Sequence, residues 1–205
     1  RRIRGPVPPN APPRHLTLAS ISPRRRELLG RAGVALDVRP SGIDDGGLRP
    51  GRCTPAEWVT ALAYLKAAAT ARQAGLRPGT LVVGADTVCV QEGRILGQPL
   101  DAADAGRMIR AMAGADHEVL TGVAVVCPAT GRRVMFSDRS VVTMGAIGED
   151  RIGGYLAGDG WRGKAGAYNI AERLDAGWPI TFVGSMDSIM GLPVARTLSA
   201  ARALV

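Results

Sequence analysis

The sequence is short of several residue types, and each shortage closes off a class of function. Only three cysteines occur, Cys53, Cys89 and Cys127, with no Cys-x-x-Cys pair. An odd count without that spacing excludes a disulfide framework and a cysteine-built zinc site, and it fits a reducing compartment. Aromatic residues make up 4% of the chain, too few for a base-stacking platform. No run of 18 apolar residues is present, which argues against a membrane-spanning helix. Histidine occurs twice, at His15 and His117. Without a second core histidine or a nearby serine signature, a catalytic triad is not indicated, and His117 is read as a structural residue. Lysine is confined to Lys66 and Lys164, with arginine used everywhere else. That reads as a composition bias, and it makes the two lysines conspicuous.

What remains is an ordinary globular composition. The 205 residues suit one domain or two small ones. A chain of this size buries about 70% of its unfolded surface. Apolar residues make up 46% and charged residues 21%. The net charge of +8 is not a property of the whole domain. Seven arginines and no acid fall in residues 1–26, while the rest carries 19 basic and 18 acidic groups. A basic end of this kind gives nonspecific attraction to polyanions rather than a specific nucleic-acid face. Residues 1–15 are rich in proline and arginine and lack apolar periodicity, so they are expected to form a disordered tail. They contain no apolar segment of signal-peptide type. The folded domain is expected over 16–205.

The patterns along that domain alternate between strand and helix. Leu16–Ala19 reads as a first strand. Ser22-Pro23 reads as the cap and first position of a helix that Gly33 can end. A second strand is expected within 34–40, followed by a loop over 41–52. Thr54-Pro55-Ala56-Glu57 matches a capping box, and the helix it opens runs to about Gln73. Trp58, Leu62, Leu65 and Ala69 have helical spacing along one face. The near-continuous apolar run of Thr80–Val90 predicts a strand covered on both sides. Asp101–Met112 reads as a helix. His117–Val126 and Arg133–Met144 read as two long strands joined by a turn, with a short helix over Glu149–Leu156. Pro179–Val183 reads as a strand and Pro193–Ala203 as a last helix. This mixture implies an α/β domain.

Four places could carry chemistry. Ser20-Ile21-Ser22-Pro23-Arg24-Arg25 puts two hydroxyls and two guanidiniums at a helix start, where open amides attract an anion. The same residues also make an ordinary capped helix with solvated arginines. Asp86 lies inside an apolar strand, an expensive place for a carboxylate unless it is paired or metal-bound. There it suits a metal ligand or a general base, or a structural acid bonded to nearby amides. Asp44-Asp45 in the acidic loop would complete a magnesium site if they faced Asp86, and otherwise are solvated loop acids. Lys66 lies on the amphipathic helix, where a lysine is normally solvated. Two matches carry no such weight. Gly158-Asp-Gly-Trp-Arg-Gly163 has dinucleotide-type spacing, and Gly158 to Lys164 approaches a phosphate loop. Neither follows a predicted strand, and Ala165 stands where the second needs Ser or Thr.

Taken in order, these segments resemble the Maf family (septum-formation-inhibitor-like). The resemblance rests on Leu18-Ala-Ser-Ile-Ser-Pro-Arg-Arg25 with Glu27-Leu-Leu29, Ser41-Gly-Ile-Asp-Asp45, Leu62-Ala-Tyr-Leu-Lys-Ala67 and Gly84-Ala-Asp-Thr87. It continues in Leu96-Gly-Gln-Pro99, His117-Glu-Val-Leu-Thr-Gly122, Gly163-Lys-Ala-Gly-Ala-Tyr-Asn-Ile170 and Ser188-Ile-Met-Gly-Leu-Pro193. Eight blocks in one order across residues 16–203 make a specific match.

The resemblance implies a single two-lobed α/β domain with a mixed sheet and a central nucleotide cleft, of the Maf or inosine-triphosphatase kind. It implies a hydrolase that splits a nucleoside triphosphate into monophosphate and pyrophosphate. A divalent cation (Mg2+ or Mn2+), a cytoplasmic location and a homodimer come with it, and the blocks look closest to the branch acting on dTTP and UTP. The physiological role, house-cleaning of modified nucleotides or restraint of cell division, stays open. By matching position, Asp86 becomes the proton acceptor and, with Asp44, a metal ligand. Ser20, Ser22, Arg25 and Lys66 become phosphate contacts, Arg24 and Thr87 fall at substrate-selecting positions, and Gln98 and Lys164 join the substrate-binding set.

Three departures stand out. Gln98 occupies a position where the family usually has lysine, Gly163 one that usually holds Asp, and Ala171 one where the dTTP/UTP branch usually has glutamine. They motivate an alternative, a nucleotide-binding regulator without catalysis on the same fold.

Overall fold

The computed structural model describes residues 15–205. The tail expected over 1–15 therefore lies outside the described residues, except for His15. That residue sits at the domain edge, its Nε2 2.8 Å from Asp37 Oδ2.

Seven strands form one mixed sheet: β1 (Leu16–Leu18), β2 (Leu36–Val38), β3 (Leu81–Gln91), β4 (Arg94–Leu96), β5 (Ala115–Val126), β6 (Arg133–Met144) and β7 (Ile180–Val183). Their order is β2-β1-β3-β5-β6-β7, with β4 added to β3. Strands β2, β1 and β3 run parallel, and the remaining pairs are antiparallel. The helices are α1 (Pro23–Arg31), α2 (Pro55–Ala71), α3 (Ala102–Met112), α4 (Glu149–Leu156), α5 (Ile170–Asp175), α6 (Met186–Ile189) and α7 (Val194–Arg202).

Local sequence accounts for most ends. Thr54 and Glu57 form the reciprocal capping box of α2, and Asp101 caps α3. Helix α1 closes with paired bonds from Gly33 N–H to Gly30 O and from Val34 N–H to Leu29 O, the Schellman arrangement. Two expectations are corrected. Ser22 sits at the start of α1 but its side chain caps nothing. The buried face of α2 is Val59, Leu62, Ala63, Ala67 and Thr70, while Leu65 is 42% exposed. The sheet selects this face because it is the narrow one. A Cβ on Gly84 would lie 2.2 Å from the carbonyl oxygen of Ala63, and one on Gly122 would lie 2.3 Å from that of Val59. Glycine at both points lets the α2 backbone settle onto β3 and β5, and Lys66 comes down with it.

Two of the long strands, β3 and β5, run through two cores on the face opposite α2. At one end Leu81, Val83, Ala85, Val123 and Val125 pack against Leu29 of α1 and Leu198 of α7. At the other, Cys89, Val119, Val142 and Met144 pack against Ile109 of α3, Ile152 of α4 and Ile170 of α5. Between the two cores lies a polar row, Thr87, Thr121 and Asp138, in register across β3, β5 and β6. This division produces two lobes on a shared sheet. On the same stretch the open edge of β3 is bare. Strand β1 pairs with residues 81–83 and β4 with residues 89–91, so Gly84–Val88 has no strand partner on that side. A crevice opens there, at a switch point of the topology.

Candidate active site

A cleft of about 1570 Å³ fills that gap. Its walls include Ser20, Ser22, Arg24, Arg25, Asp44, Lys66, Asp86, Thr87, Gln98 and Lys164. Every site residue expected from the sequence therefore faces one space, although the residues come from six separate stretches of chain.

Asp86 and Thr87 leave β3 on opposite faces, as strand alternation requires. Asp86 points toward α2. Its Oδ1 lies 2.7 Å from Lys66 Nζ, and Asp45 Oδ2 lies 2.6 Å from the same nitrogen. The pair is largely enclosed, with the Lys66 and Asp86 side chains 16% and 13% exposed. The cost of placing Asp86 in an apolar strand is thus offset by a buried ammonium. Asp44 takes a different part. It is exposed and its Oδ1 accepts the Gly46 N–H at 3.0 Å, which bends the loop and presents Asp45 to Lys66. Of the acidic pair, the second member meets the lysine.

Thr87 points to the other face. Its Oγ1 lies 2.9 Å from Thr121 Oγ1, which donates to the Ser188 carbonyl at 2.8 Å. Arg25 is pinned beside it, donating to Thr87 Oγ1 at 3.1 Å, Ser20 Oγ at 3.2 Å and the Gly191 carbonyl at 2.9 Å. All three acceptors are neutral, so the guanidinium charge stays free for an anion. Burial lowers the Arg25 pKa, opposed by the charge of Asp86; Arg24 lowers it further and Asp45 raises it. The uncapped start of α1 adds amides with no internal partner on the same wall. Ser22 contributes its own N–H to Ser20 Oγ at 3.2 Å, which tightens the β1–α1 turn.

The remaining expected residues are less committed. Gln98 is exposed on the segment after β4. Lys164 Nζ lies 2.5 Å from Glu172 Oε2, so its charge is already matched. Gly163 lines the cleft at φ +65°, in the left-handed region, whereas Ala171 is not part of the cleft wall. The glycine-rich stretch that follows α4 leads into a 3-10 turn at Ala165–Ala167, not a helix, so neither phosphate-binding glycine motif is realised. Leu62, Val88, Val119, Ile189 and Met190 add apolar lining to the cleft.

Residues 15–204 match the family described as Maf-like protein. The chain belongs to that family. A dTTP/UTP pyrophosphatase of Pelotomaculum thermopropionicum is 40% identical over 183 residues, spanning 89% of this chain and 93% of that protein. One from Moorella thermoacetica is 44% identical over 184 residues, covering 88% and 90% respectively. One from Anaeromyxobacter dehalogenans is 41% identical over 189 residues, covering 91% and 92%. The mixed α/β domain is that of the Maf-like family.

Three features of this Maf-like site were not singled out from sequence. Thr121 sits inside an alternating strand and carries no signal of its own. Tyr168 lines the cleft and its hydroxyl lies 2.6 Å from His117 Nε2. Burial pushes the His117 pKa down to about 4, with Asp116 opposing, and raises that of Tyr168 well above its ordinary value. His117 is therefore a neutral, fully buried partner of a cleft tyrosine, in keeping with its structural reading. Arg94, the third, lies on β4, a strand too short to show in the pattern.

Proposed function

We propose that this protein is a nucleoside triphosphate pyrophosphatase acting on dTTP and UTP, releasing the monophosphate and pyrophosphate. One observation carries the reading: Lys66 gathers Asp45 and Asp86 at the floor of a cleft whose rim holds Arg24, Arg25 and the open start of α1. The names of the relatives support the substrate class.

Splitting a phosphoanhydride requires charge neutralisation and in-line positioning more than a special nucleophile. The α1 amides and Arg25 hold phosphate oxygens at the Thr87 face of β3. The base lies against Leu62, Val88 and Met190. Asp86, on the other face of the strand, accepts the proton of a water directed at the α-phosphorus. Lys66 leaves the carboxylates for the incoming phosphates, which frees Asp86 as the acceptor.

The donor set also suits a divalent cation. Two carboxylate oxygens already converge on one cationic nitrogen, a place where positive charge is stabilised. No group of three or more His, Cys, Asp or Glu converges among the described residues, so an ion held by Asp45 and Asp86 would complete its shell with phosphate oxygens and water. Mg2+ or Mn2+ bound there would neutralise the triphosphate and polarise it toward attack. A cytoplasmic location and a homodimeric state belong to the same proposal and rest on the family resemblance. No helix among the described residues is long and apolar enough to cross a membrane.

Hydrolysis of dTTP in 18O-labelled water tests the direction of attack. The label is expected in dTMP. Label in pyrophosphate instead would place the attack at the β-phosphorus and overturn the assigned geometry.

A further inference from the structure

We propose that Arg94 is a substrate-binding residue that holds the distal phosphates of the nucleotide. This rests on the pyrophosphatase reading and adds a contact to it.

Most of the positive charge in the cleft is already engaged. Lys66 is engaged by Asp45 and Asp86, and Lys164 by Glu172. Arg162 is paired with Asp159 and stacked 4.4 Å over the Trp161 ring. Arg49 is fastened to the carbonyls of Gly46 and Leu48. Arg25 is held by three neutral oxygens, as described above. Arg24 and Arg94 are different. Both line the cleft, and neither has an ion pair or a side-chain hydrogen bond among the described residues.

These two free guanidiniums stand at the two ends of the bare edge of β3. Arg24 belongs to α1, which follows the strand paired to residues 81–83. Arg94 belongs to β4, paired to residues 89–91. Five residues of extended strand, about 17 Å, separate those pairings. Register fixes the side of the strand. Arg94 opposes Gln91 and therefore shares a face with Leu96 and Cys89, not with Ile95, which packs under α2. That is the face of Thr87 and the Arg25 anion site. The wall there is secured by the Gly166 N–H bond to the Gly97 carbonyl at 3.0 Å. Gln98, the next polar side chain along this wall, is uncharged, so among the described residues Arg94 is the free cation on the β4 side. An exposed arginine left unpaired beside an anionic substrate provides a charge-assisted contact, bidentate where the phosphate geometry allows.

The test compares Arg94→Gln, Arg94→Lys and the double variant Arg94→Gln/Gln98→Lys with the parent chain. Two readouts are taken: KM for dTTP, and binding of inorganic tripolyphosphate measured by calorimetry. Arg94→Gln is expected to raise KM and weaken tripolyphosphate binding, each about ten- to hundredfold, the loss of one charge-assisted contact. Arg94→Lys retains most of the binding, and the added lysine at position 98 recovers part of the loss. Values for Arg94→Gln within twofold of the parent would overturn the proposal. Because Arg94 is exposed, its urea midpoint is expected to stay within error, which separates a binding loss from misfolding. No hydrolysis by the parent chain refutes the pyrophosphatase reading, while tripolyphosphate binding still decides the role of Arg94.

Discussion

In the proposed mechanism the chemistry depends on Asp86 and Lys66, and the two respond differently to substitution. Asp86→Asn leaves Lys66 paired with Asp45, so the fold is expected to persist while kcat falls by about 10²–10⁴, measured as pyrophosphate release. Turnover near that of the parent would remove Asp86 from the mechanism. Lys66→Met instead leaves the enclosed Asp86 and the partly exposed Asp45 without their cation and is expected to cost stability as well, about 1–3 kcal/mol by denaturant titration. Asp86 was legible in the sequence because a carboxylate is the wrong residue type for an apolar strand, and Lys66 because lysine is nearly absent from the chain. The choice between Asp44 and Asp45 was not. Both are loop acids, and it is the folded loop that has Asp44 accept the Gly46 N–H while Asp45 meets Lys66.

His117 gives a pH signature at the same scale. Its pKa in the fold, about 4, lies below the ordinary 6.5, so the unfolded chain binds the extra proton between those values. Its contribution is complete above pH 6.5 and is lost as pH falls toward 4, a difference of roughly 3 kcal/mol at the acid end. His117→Gln removes that term. The change in urea midpoint between pH 7 and pH 4.5 is expected to be smaller in the variant, and an equal change in both proteins would refute the assignment.

Among the elements, α2 positions the lysine through its approach to the sheet. Gly84→Ala places a methyl group against the Ala63 carbonyl, so the helix must lift. A destabilisation of about 1–3 kcal/mol is expected, with a loss of turnover from the displaced Lys66, read by thermal unfolding and product assay. Thr54→Ala is the matching control. It removes the α2 capping box, costs about 1 kcal/mol and leaves kcat unchanged. The same element marks where sequence patterning ran out. Spacing alone selected Trp58, Leu62, Leu65 and Ala69, because large apolar residues weigh most in a helical pattern. The sheet instead receives the small face, a choice fixed by Gly84 and Gly122 in strands distant along the chain. Long elements such as β6 and α3 were readable from pattern and, for α3, from the Asp101 cap. Strand β4 and helices α5 and α6 span three, six and four residues, too few for any period to register.

At the scale of the molecule, two cores share two strands. Strands β3 and β5 contribute to both lobes, and α2 lies across their common back. Neither lobe keeps its core if the other unravels, so a single cooperative unfolding transition is expected, with the tryptophan signal and far-ultraviolet circular dichroism coinciding. The site lies in the polar interval between the cores, and its chemistry depends on the sheet staying whole. The family blocks were recognisable across nearly the full domain because each supplies one wall of that interval.

Pyrophosphate release from dTTP, UTP, CTP, GTP and 7-methyl-GTP with Mg2+ or Mn2+, run beside Asp86→Asn, separates an enzyme from a nucleotide-binding regulator. Release from dTTP and UTP that the variant abolishes is the predicted result. Nucleotide binding with no release from any member of the panel would contradict it and identify a regulator that uses the same cleft without catalysis.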